Sequence, residues 1–520
     1  MAVERPTAAD VSRLAEELGF SLSGVEADEF ADLVDEALRS HDWLEQTAVP
    51  AADGASRPDS GRRPSPAENR LGAWYWKTNI RIADDGPLAG KTVAVKDNIA
   101  VAGVPMMNGT AILEGYVPDL DATVVSRALA AGATIAGKAV CEALCYSGSS
   151  HTSDTGPVRN PYDPTRSSGG SSSGCGALLA AREVDLAIGG DQGGSIRCPS
   201  SWSGVVGLKP TYGLVPYTGA FPLEMTLDHL GPMARTVADA ALLLDVLAGA
   251  DGRDPRQRDL PAPTGGGYVE ALGLGVAGLR VGLLEEGFAH DVSEPDVDQA
   301  VRAAAESLED LGARVVKVSV PWHHDAKNVS LGIAAEGSVA LMIHGEGVGT
   351  NWRGLYATSM LEAFANGRRA QPDRLPAMVK LQAIVGQWMH ETYRGRFYAK
   401  AQNLALELAR GYDAALAEVD LLAVPTTPMK ARPLPEGPLS ATDSTHIAHE
   451  MGANTSPFNV SGHPAISVPC ALSAGLPVGL MLVGPRGRDD LVLRAAHAFQ
   501  TELYELPPPP LEVPVPDAAR

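Results

Sequence analysis

The sequence is poor in cysteine, in aromatic residues and in cationic residues. Aromatic types make up 5% of its 520 residues, and the five cysteines are scattered: Cys141, Cys145, Cys175, Cys198 and Cys470. An odd number of widely spaced cysteines fits a reducing compartment. Cys141 and Cys145 lie four positions apart without a second such pair, so their spacing does not indicate a zinc site.

Long apolar runs and basic clusters are also missing. No run of about 18 apolar residues occurs, which excludes a membrane-spanning helix. The first residues lack the basic start and apolar core of a secretory signal, so we expect a cytoplasmic protein. Lysine and arginine number 42 against 63 aspartates and glutamates, a formal charge of −21. Because nucleic acids and anionic membranes attract clustered cations, this balance argues against either as the main partner.

Two amphipathic helices are predicted in the first 45 residues, where Thr7 and Asp10 form a capping pattern before apolar residues at helical spacing. Two such helices alone cannot bury their apolar faces, so they must pack on the main body or on another chain. We expect residues 1–70, which end in a linker of proline, glycine, serine and arginine, to form a helical domain that joins two chains into a homodimer. Residues 71–520 would form the main domain.

Beyond the linker, strand and helix patterns alternate. Apolar runs typical of buried strands occur at 92–95, 133–136, 184–188, 279–284, 315–320, 421–424, 465–468 and 478–483. Helical patterns occur at 122–131, 173–182, 236–247, 293–311, 491–500 and over most of 330–415. Strands separated by helices of this length predict an α/β fold, in which helices cover both faces of a sheet.

The most unusual composition lies at residues 166–200, where two glycine pairs each precede a serine, Ser171 and Ser195. Because glycine permits positive φ and close backbone approach, such runs can aim several N–H groups at one point. A point surrounded by N–H groups is an anion hole, and a serine at its edge is a candidate nucleophile. A flexible linker is the alternative, but the apolar segments 177–181 and 184–188 interrupt the run and must be buried.

A nucleophilic serine needs a base, and the sequence offers two kinds. The chain has twelve histidines, but none has a context that marks it as a base, and His151, His229 and His463 lie in loop-like surroundings. The other candidate is Lys96, which ends the apolar run 92–95. A lysine at the carboxyl end of a buried strand lies where α/β sheets place ligands, and burial disfavours its charged form because the ammonium loses hydration. An ordinary lysine at a strand end remains the alternative.

These segments together resemble the amidase signature family, and most closely the bacterial amidases that accompany nitrile hydratases. The resemblance rests on VAVKDN at 93–98, GGSSSG at 169–174 and DQGGSIRCPS at 191–200, and continues at 204–216, 228–249, 420–428 and 475–484. It covers roughly residues 71–505. It implies the family's fold, a large, twisted, mixed β-sheet flanked by helices on both faces.

The resemblance implies a catalytic triad of Ser195, Ser171 and Lys96. Ser195 would attack an amide carbonyl, Ser171 would relay the proton to an uncharged Lys96, and the peptide bond before Ser171 would be cis. The oxyanion hole would consist of the backbone N–H groups of Gln192, Gly193, Gly194 and Ser195. No metal and no cofactor are implied.

The same resemblance gives other residues supporting roles. Tyr146 and Gln192 would contact the substrate, and the loops would be supported by Gly170, Ser172, Asp191 and Arg197. The chain departs from the common family pattern at Ser173, which replaces a glycine, and at Cys198, three residues after the nucleophile. Neither belongs to the triad, and we do not expect Cys198 to replace Ser195 as the nucleophile.

The activity implied is hydrolysis of small aliphatic or aromatic carboxamides to a carboxylic acid and ammonia, through an acyl-Ser195 intermediate. Three alternatives stay open. One is a carbamate or anilide hydrolase on the same scaffold. Another is the glutaminase subunit of a tRNA amidotransferase, which would need partner chains and is not expected to carry the N-terminal helices. The third is a non-catalytic binding protein.

Overall fold

The computed structural model of the protein describes residues 3–47, 61–257 and 267–510. The chain divides into two compact units, Met1–Ala52 and Asp53–Arg520. The part of the predicted linker at 50–60 lies outside the described residues. The part at 61–70 contains a short 3₁₀ helix, Pro66–Glu68, and Arg62 pairs with Lys77 in a β-bridge.

The first unit consists of the two predicted helices, α1 (Ala8–Glu17) and α2 (Gly24–Gln46). Each begins with a capping box, that of α1 being the predicted pair Thr7 and Asp10, which satisfies N–H groups that a helix leaves free at its start. The large apolar side chains exposed in this unit are Leu14, Leu18, Phe20, Val25, Phe30, Leu33, Trp43 and Leu44.

The second unit is built on one sheet, which has eleven strands in the described residues. The strands are β1 (Trp74–Ile80), β2 (Thr92–Lys96), β3 (Thr134–Ala139), β4 (Leu186–Asp191), β5 (Val206–Lys209), β6 (His229–Ala234), β7 (Arg280–Leu284), β8 (Arg314–Val318), β9 (Leu421–Pro425), β10 (Ala465–Ser473) and β11 (Leu476–Val483). Their order is β1-β3-β2-β4-β6-β5-β10-β11-β9-β7-β8. β2 is parallel to β3 and β4, β7 is parallel to β8 and β9, and the other pairs are antiparallel. The predicted mixed sheet is confirmed.

The described part of this unit also contains helices, which confirm the predicted α/β class. They are α3 (Thr123–Ala130), α4 (Ser173–Ala180), α5 (Arg197–Ser203), α6 (Val237–Leu247), α7 (Tyr268–Ala271), α8 (Pro295–Glu306), α9 (Trp322–Ser338), α10 (Thr358–Ala370), α11 (Ala377–Tyr393), α12 (Arg396–Glu418), α13 (Ala441–His449), α14 (Ser456–Ser461) and α15 (Asp489–Glu502). The predicted helical stretch 330–415 corresponds to α9 through α12. The strongly apolar α6 buries Leu243, Leu244 and Leu247 completely, as its sequence leads us to expect.

Three strands, β1, β5 and β6, are absent from the sequence prediction. β5 has only four residues, and β6 contains Gly231 and Pro232, which are weak strand formers. β6 nevertheless pairs with β4 over its whole length, so tertiary pairing overrides the local preference. His229, predicted in a loop, is the first residue of β6.

The parallel pair β2 and β4 brings two distant segments of the chain to one edge of the sheet. Lys96 ends β2 and Asp191 ends β4. Val93 and Val95 of β2 are completely buried, which fixes the position of the strand in the core. Because the carboxyl ends of parallel strands meet at the same edge, Lys96 lies beside the glycine-serine loop that follows β4.

Candidate active site

Lys96 lies inside the protein against the first glycine-serine loop. Its side chain is 0% exposed. Its Nζ donates to Ser171 Oγ at 2.8 Å and to the Gly190 carbonyl oxygen at 3.0 Å. The described residues contain no ion pair between Lys96 and a carboxylate. The lysine therefore contacts the hydroxyl group that the family resemblance assigns as proton relay.

The loop that carries Ser171 is held by close backbone approaches. The Gly170–Ser171 peptide bond is cis. A Cβ at Gly170 would lie 3.0 Å from the Ser147 carbonyl oxygen, so a larger residue has no room there. The hydroxyl of Ser172 donates to the Gly190 carbonyl oxygen at 3.1 Å and accepts from the Gly190 N–H at 3.2 Å. Ser172 thus joins this loop to β4, whereas the Ser171 hydroxyl is left for Lys96.

The second glycine-serine loop carries Ser195, which is 8% exposed, whereas Ser171 is 0% exposed. The two loops are joined by a hydrogen bond from the Ser172 N–H to the Ser195 carbonyl oxygen at 3.1 Å. Gly194 has φ +133°, and a Cβ there would collide with Thr455 Oγ1, so only glycine fits. Of Ser171, Ser172 and Ser195, only Ser195 is measurably exposed to solvent.

One predicted oxyanion donor is occupied. The Gly194 N–H donates to Asp191 Oδ1 at 2.7 Å, which corrects the prediction that it belongs to the oxyanion hole. For Gln192, Gly193 and Ser195, the described residues contain no protein acceptor of the backbone N–H. Three of the four predicted donors thus remain free to bind an oxyanion, and the fourth fixes the shape of the loop.

Asp191 holds the loop that carries Ser195 in place. It also accepts from the Ile196 N–H at 3.0 Å, and it forms a buried ion pair with Arg197 at 2.9 Å. Asn459 on α14 donates to the same carboxylate at 2.9 Å and accepts from Arg197 at 2.7 Å. Burial would raise the pKa of Asp191, but the charge and hydrogen bonds of Arg197 hold it well below its ordinary value. Sequence reasoning missed Asn459, since 268 residues separate it from Asp191.

Two other lysines are buried in the same sheet, and their surroundings differ. Lys138 on β3 pairs with the carboxyl group of Asp97 at 3.1 Å. Lys209 on β5 donates to the Pro210 carbonyl oxygen at 2.9 Å and faces His229 Nε2 at 3.3 Å. Burial and the charge of Arg197 lower the pKa of Lys209 well below its ordinary value. Of the three buried lysines, Lys96 is the one that contacts a serine of the glycine loops in the described residues.

The histidines weighed as bases make their hydrogen bonds elsewhere. His151 Nδ1 lies 2.7 Å from Ser149 Oγ, and His463 Nε2 lies 3.1 Å from Asp413 Oδ1. Burial and the charge of Lys209 lower the pKa of His229 well below its ordinary value. None of the histidine hydrogen bonds in the described residues reaches Ser171 or Ser195, whereas Lys96 contacts Ser171 directly.

The predicted substrate-contacting residues lie in buried surroundings. Tyr146 is buried, and burial raises the pKa of its hydroxyl, which contacts the Ser338 side chain. The Gln192 side chain donates to the Tyr217 hydroxyl at 3.0 Å, and Asn98 donates to the same oxygen at 3.3 Å. Gln192 Oε1 is buried without a protein partner in the described residues, so it is available to a bound molecule.

Cysteines flank the site on two sides. Cys198 follows Ser195 by three residues and lies 3.7 Å from Thr455 Oγ1, and burial raises the pKa of its thiol to about 12. A thiol with so high a pKa is a weak nucleophile, in line with the prediction from sequence. Cys145 is different, because its thiol contacts the side chains of Lys96 and Ser171. Its spacing with Cys141 is the signal that could have drawn attention to it.

The described residues contain no group of three or more histidine, cysteine, aspartate or glutamate side chains arranged to hold a metal ion. No helix within them is long and apolar enough to cross a membrane.

Comparison with known proteins identifies relatives along most of the chain. A family model described as Amidase matches residues 63–493. An enantioselective amidase of Rhodococcus rhodochrous is 45% identical over 511 residues, which cover 97% of each chain. Among solved structures, a glutamyl-tRNA(Gln) amidotransferase subunit of Thermotoga maritima has a TM-score of 0.71 at 29% identity, covering 88% of this chain and 100% of that one. The peptide amidase of Stenotrophomonas maltophilia has a TM-score of 0.69 at 30% identity, covering 82% and 85%.

Proposed function

This chain belongs to the amidase family, and from that membership we propose that it hydrolyses small aliphatic or aromatic carboxamides to a carboxylic acid and ammonia. The observation that carries the proposal is the contact of Lys96 Nζ with Ser171 Oγ at 2.8 Å, buried beside the loop of Ser195. A lysine, a relay serine and a nucleophilic serine are sufficient for acyl transfer.

The reaction begins with the attack of Ser195 Oγ on the amide carbon. Ser171 accepts the Ser195 proton and passes its own to the uncharged amine of Lys96. The carbonyl oxygen becomes an oxyanion, which the N–H groups of Gln192, Gly193 and Ser195 stabilise. Loss of one such donor typically raises the barrier by about 3–4 kcal/mol.

Collapse of the tetrahedral intermediate breaks the carbon–nitrogen bond. The proton returns from Lys96 through Ser171 to the leaving nitrogen, so that ammonia departs and an ester at Ser195 remains. Water then attacks the ester, gives a proton to the same relay and releases the acid. We propose that Tyr146 and the side chain of Gln192 contact the acyl group.

The extent of the relationship supports a self-sufficient amidase over a glutaminase subunit. The Rhodococcus relative aligns over 97% of this chain, so the alignment includes most of the N-terminal unit. The Thermotoga amidotransferase subunit matches 88% of the chain. Copurification of a partner protein in equal amount would favour the glutaminase alternative.

Ammonia release from a panel of substrates tests the proposed activity. We expect turnover of benzamide or propionamide, and much slower turnover of a urethane and an anilide. The Ser195→Ala variant, which keeps the loop but removes the nucleophilic oxygen, is the matched control. If the enzyme turned over neither primary amide but did turn over the urethane or the anilide, the carbamate or anilide alternative would replace the proposal.

We also propose that the enzyme is a homodimer joined through the N-terminal helices. The support is the set of large apolar side chains exposed on α1 and α2, which a second copy would cover. Light scattering of the full chain at micromolar concentration should give twice the mass of one chain. A charge substitution at Leu33 should lower it, and a monomeric wild type would contradict the proposal.

We place the enzyme in the cytoplasm. The support for this location is that all five cysteines are free thiols in the structure. Fractionation of the source cells, with activity assayed in each fraction, tests it. Activity found mainly outside the cytoplasm would contradict it.

A further inference from the structure

Two thiols converge beside Lys96 at a place that amide hydrolysis does not use. Cys141 lies shortly after β3, and Cys145 ends the 3₁₀ turn Ala143–Cys145. Their Sγ atoms lie 3.5 and 3.6 Å from a single acceptor, Asn108 Oδ1. The two thiols also contact each other. A pair of cysteines four positions apart is therefore folded into direct contact.

The two thiols differ in how readily they ionise. Burial alone would raise the pKa of Cys145, but its hydrogen bonds with Cys141, Ser171 and Lys96 outweigh burial and lower it. Burial and the hydrogen bond with Cys145 raise the pKa of Cys141 well above its ordinary value. Since the thiolate is the nucleophilic form, Cys145 is the reactive partner and Cys141 the neighbour that can attack it once it is oxidised.

The other three cysteines provide an internal contrast. Burial raises the pKa values of Cys175, Cys198 and Cys470 to about 12. The hydrogen bonds recorded for Cys175 and Cys198 lead to the Ile188 carbonyl oxygen and the Thr455 hydroxyl. In the described residues neither Cys175 nor Cys198 has a hydrogen bond with a second thiol. Burial therefore leaves both thiols poorly ionised.

Access to Cys145 resembles access to the nucleophile. Cys145 is 6% exposed and Ser195 is 8% exposed, whereas Cys141 is 0% exposed. Of the two thiols, that of Cys145 thus belongs to the residue that a small oxidant in solution can reach, and that of Cys141 does not.

We propose that Cys145 is a modification site for hydroperoxides, and that Cys141 converts the product into a disulfide that lowers amide turnover. The Cys145 thiolate attacks one oxygen of hydrogen peroxide, so that a sulfur–oxygen bond forms, the oxygen–oxygen bond breaks, and the departing hydroxide takes a proton to become water. Cys141 Sγ then attacks the sulfenic sulfur and displaces hydroxide, which leaves as a second water with the Cys141 proton. The two sulfurs lose two electrons, and peroxide gains them.

The effect on turnover follows from the contacts of Cys145 and rests on the proposed amidase function. Its sulfur contacts both Lys96 and Ser171. A bond to Cys141 draws that sulfur away and removes a hydrogen-bond partner from the proton relay, a loss expected to slow turnover about tenfold or more.

Peroxide treatment of the full-length enzyme, followed by mass spectrometry, tests the proposal. The tryptic peptide 139–159 contains Cys141 and Cys145 and no other cysteine. We expect this peptide to lose two hydrogens as turnover of benzamide falls, and both changes to reverse with dithiothreitol. The matched control Cys175→Ser removes a buried thiol outside the pair and should respond as the wild type does.

A second variant separates the two steps. Cys141→Ser should form no disulfide, and peroxide should instead add oxygen to Cys145. If this variant does not fold, the mass of peptide 139–159 from the peroxide-treated wild type still tests whether the disulfide forms. Loss of turnover without loss of two hydrogens in peptide 139–159 would overturn the proposal, and so would a disulfide that leaves turnover unchanged. Because the mass of the peptide is independent of any substrate, an enzyme inactive on amides would fail the proposed function without failing the disulfide test.

Discussion

Lys96 and Lys138 stand on neighbouring parallel strands, at the carboxyl edge of the same sheet, and both are 0% exposed. Their partners are different. Lys96 donates to a hydroxyl group and a carbonyl oxygen, while Lys138 faces the carboxyl group of Asp97. Burial raises the pKa of Asp97 in spite of Lys138, and the N–H groups of Met107 and Asn108 also donate to it.

The comparison teaches that burial alone does not define a catalytic lysine. The partner of Lys138 is a carboxyl group, and the contact between them is a buried ion pair. A hydroxyl partner leaves the amine free to exchange a proton with it. The same residue type on two adjacent strands thus serves structure in one case and, in our proposal, chemistry in the other.

Replacing Lys96 should give the largest effect on activity. In Lys96→Met the relay from Ser195 has no final proton acceptor, so we expect kcat/KM for benzamide to fall by about 10³–10⁴-fold. The circular dichroism spectrum should be unchanged, because within the described part of the chain the Lys96 side chain forms no ion pair that the variant would lose. Activity close to wild type at pH 7 would refute the role of Lys96.

Replacing Lys138 should act on stability instead. Lys138→Met leaves the Asp97 carboxylate buried without its cation, and removing one partner of such a pair costs about 3–5 kcal/mol. Urea unfolding measures the loss, and the double variant Lys138→Met/Asp97→Asn should recover part of it. If the single variant is as stable as wild type but as inactive as Lys96→Met, the contrast between the two lysines fails.

A second buried ion pair, that of Arg197 and Asp191, should make the free energy of unfolding depend on pH. The pKa of Asp191 is held below its ordinary value in the folded protein, so its stabilising contribution is present above the unfolded pKa of about 3.9 and is lost as the pH falls further. The difference in unfolding free energy between wild type and Asp191→Asn should be constant from pH 8 to about pH 5 and shrink by about 2 kcal/mol below pH 4. A difference that instead grows in acid would show that the carboxyl is not ionised in the folded state.

The smallest effect should come from Ser172, the neighbour of the relay serine. Its hydroxyl bonds only the backbone of Gly190 in the described residues, so Ser172→Ala should cost about 1–3 kcal/mol of stability and leave kcat within about tenfold of wild type. Ser171→Ala is the matched variant and should lose activity as severely as Lys96→Met. If Ser172→Ala and Ser171→Ala lost kcat equally, the assignment of Ser171 as the proton relay would be wrong.

Local sequence was enough for the elements with strong signals. The apolar run at 92–95 became β2 and placed Lys96 at its end, and the glycine pairs marked both serine loops. β6 was not predicted, because a strand that contains Gly231 and Pro232 forms only through its pairing with β4. Local propensity cannot report a stabilisation that arises from pairing with a distant strand.

The long-range contacts of the site were beyond local reasoning for the same reason. Asn459, 268 residues from Asp191, and Lys138, 41 residues from Asp97, become visible only when the sheet and α14 are assembled. The occupied Gly194 N–H is a further case, because its partner Asp191 is near in sequence but the direction of a backbone N–H depends on the folded loop.

The central claim, that Ser195 forms an ester through the Lys96 relay, is tested most directly by trapping the acyl-enzyme in acid and mapping it. Ser195 is the only serine in the tryptic peptide 183–197, while Ser171, Ser172 and Ser173 all fall in peptide 167–182. The account predicts an acyl group on peptide 183–197 of the wild type during benzamide turnover and none on Lys96→Met. An acyl group on peptide 167–182, or on the cysteine peptide 139–159, would contradict it.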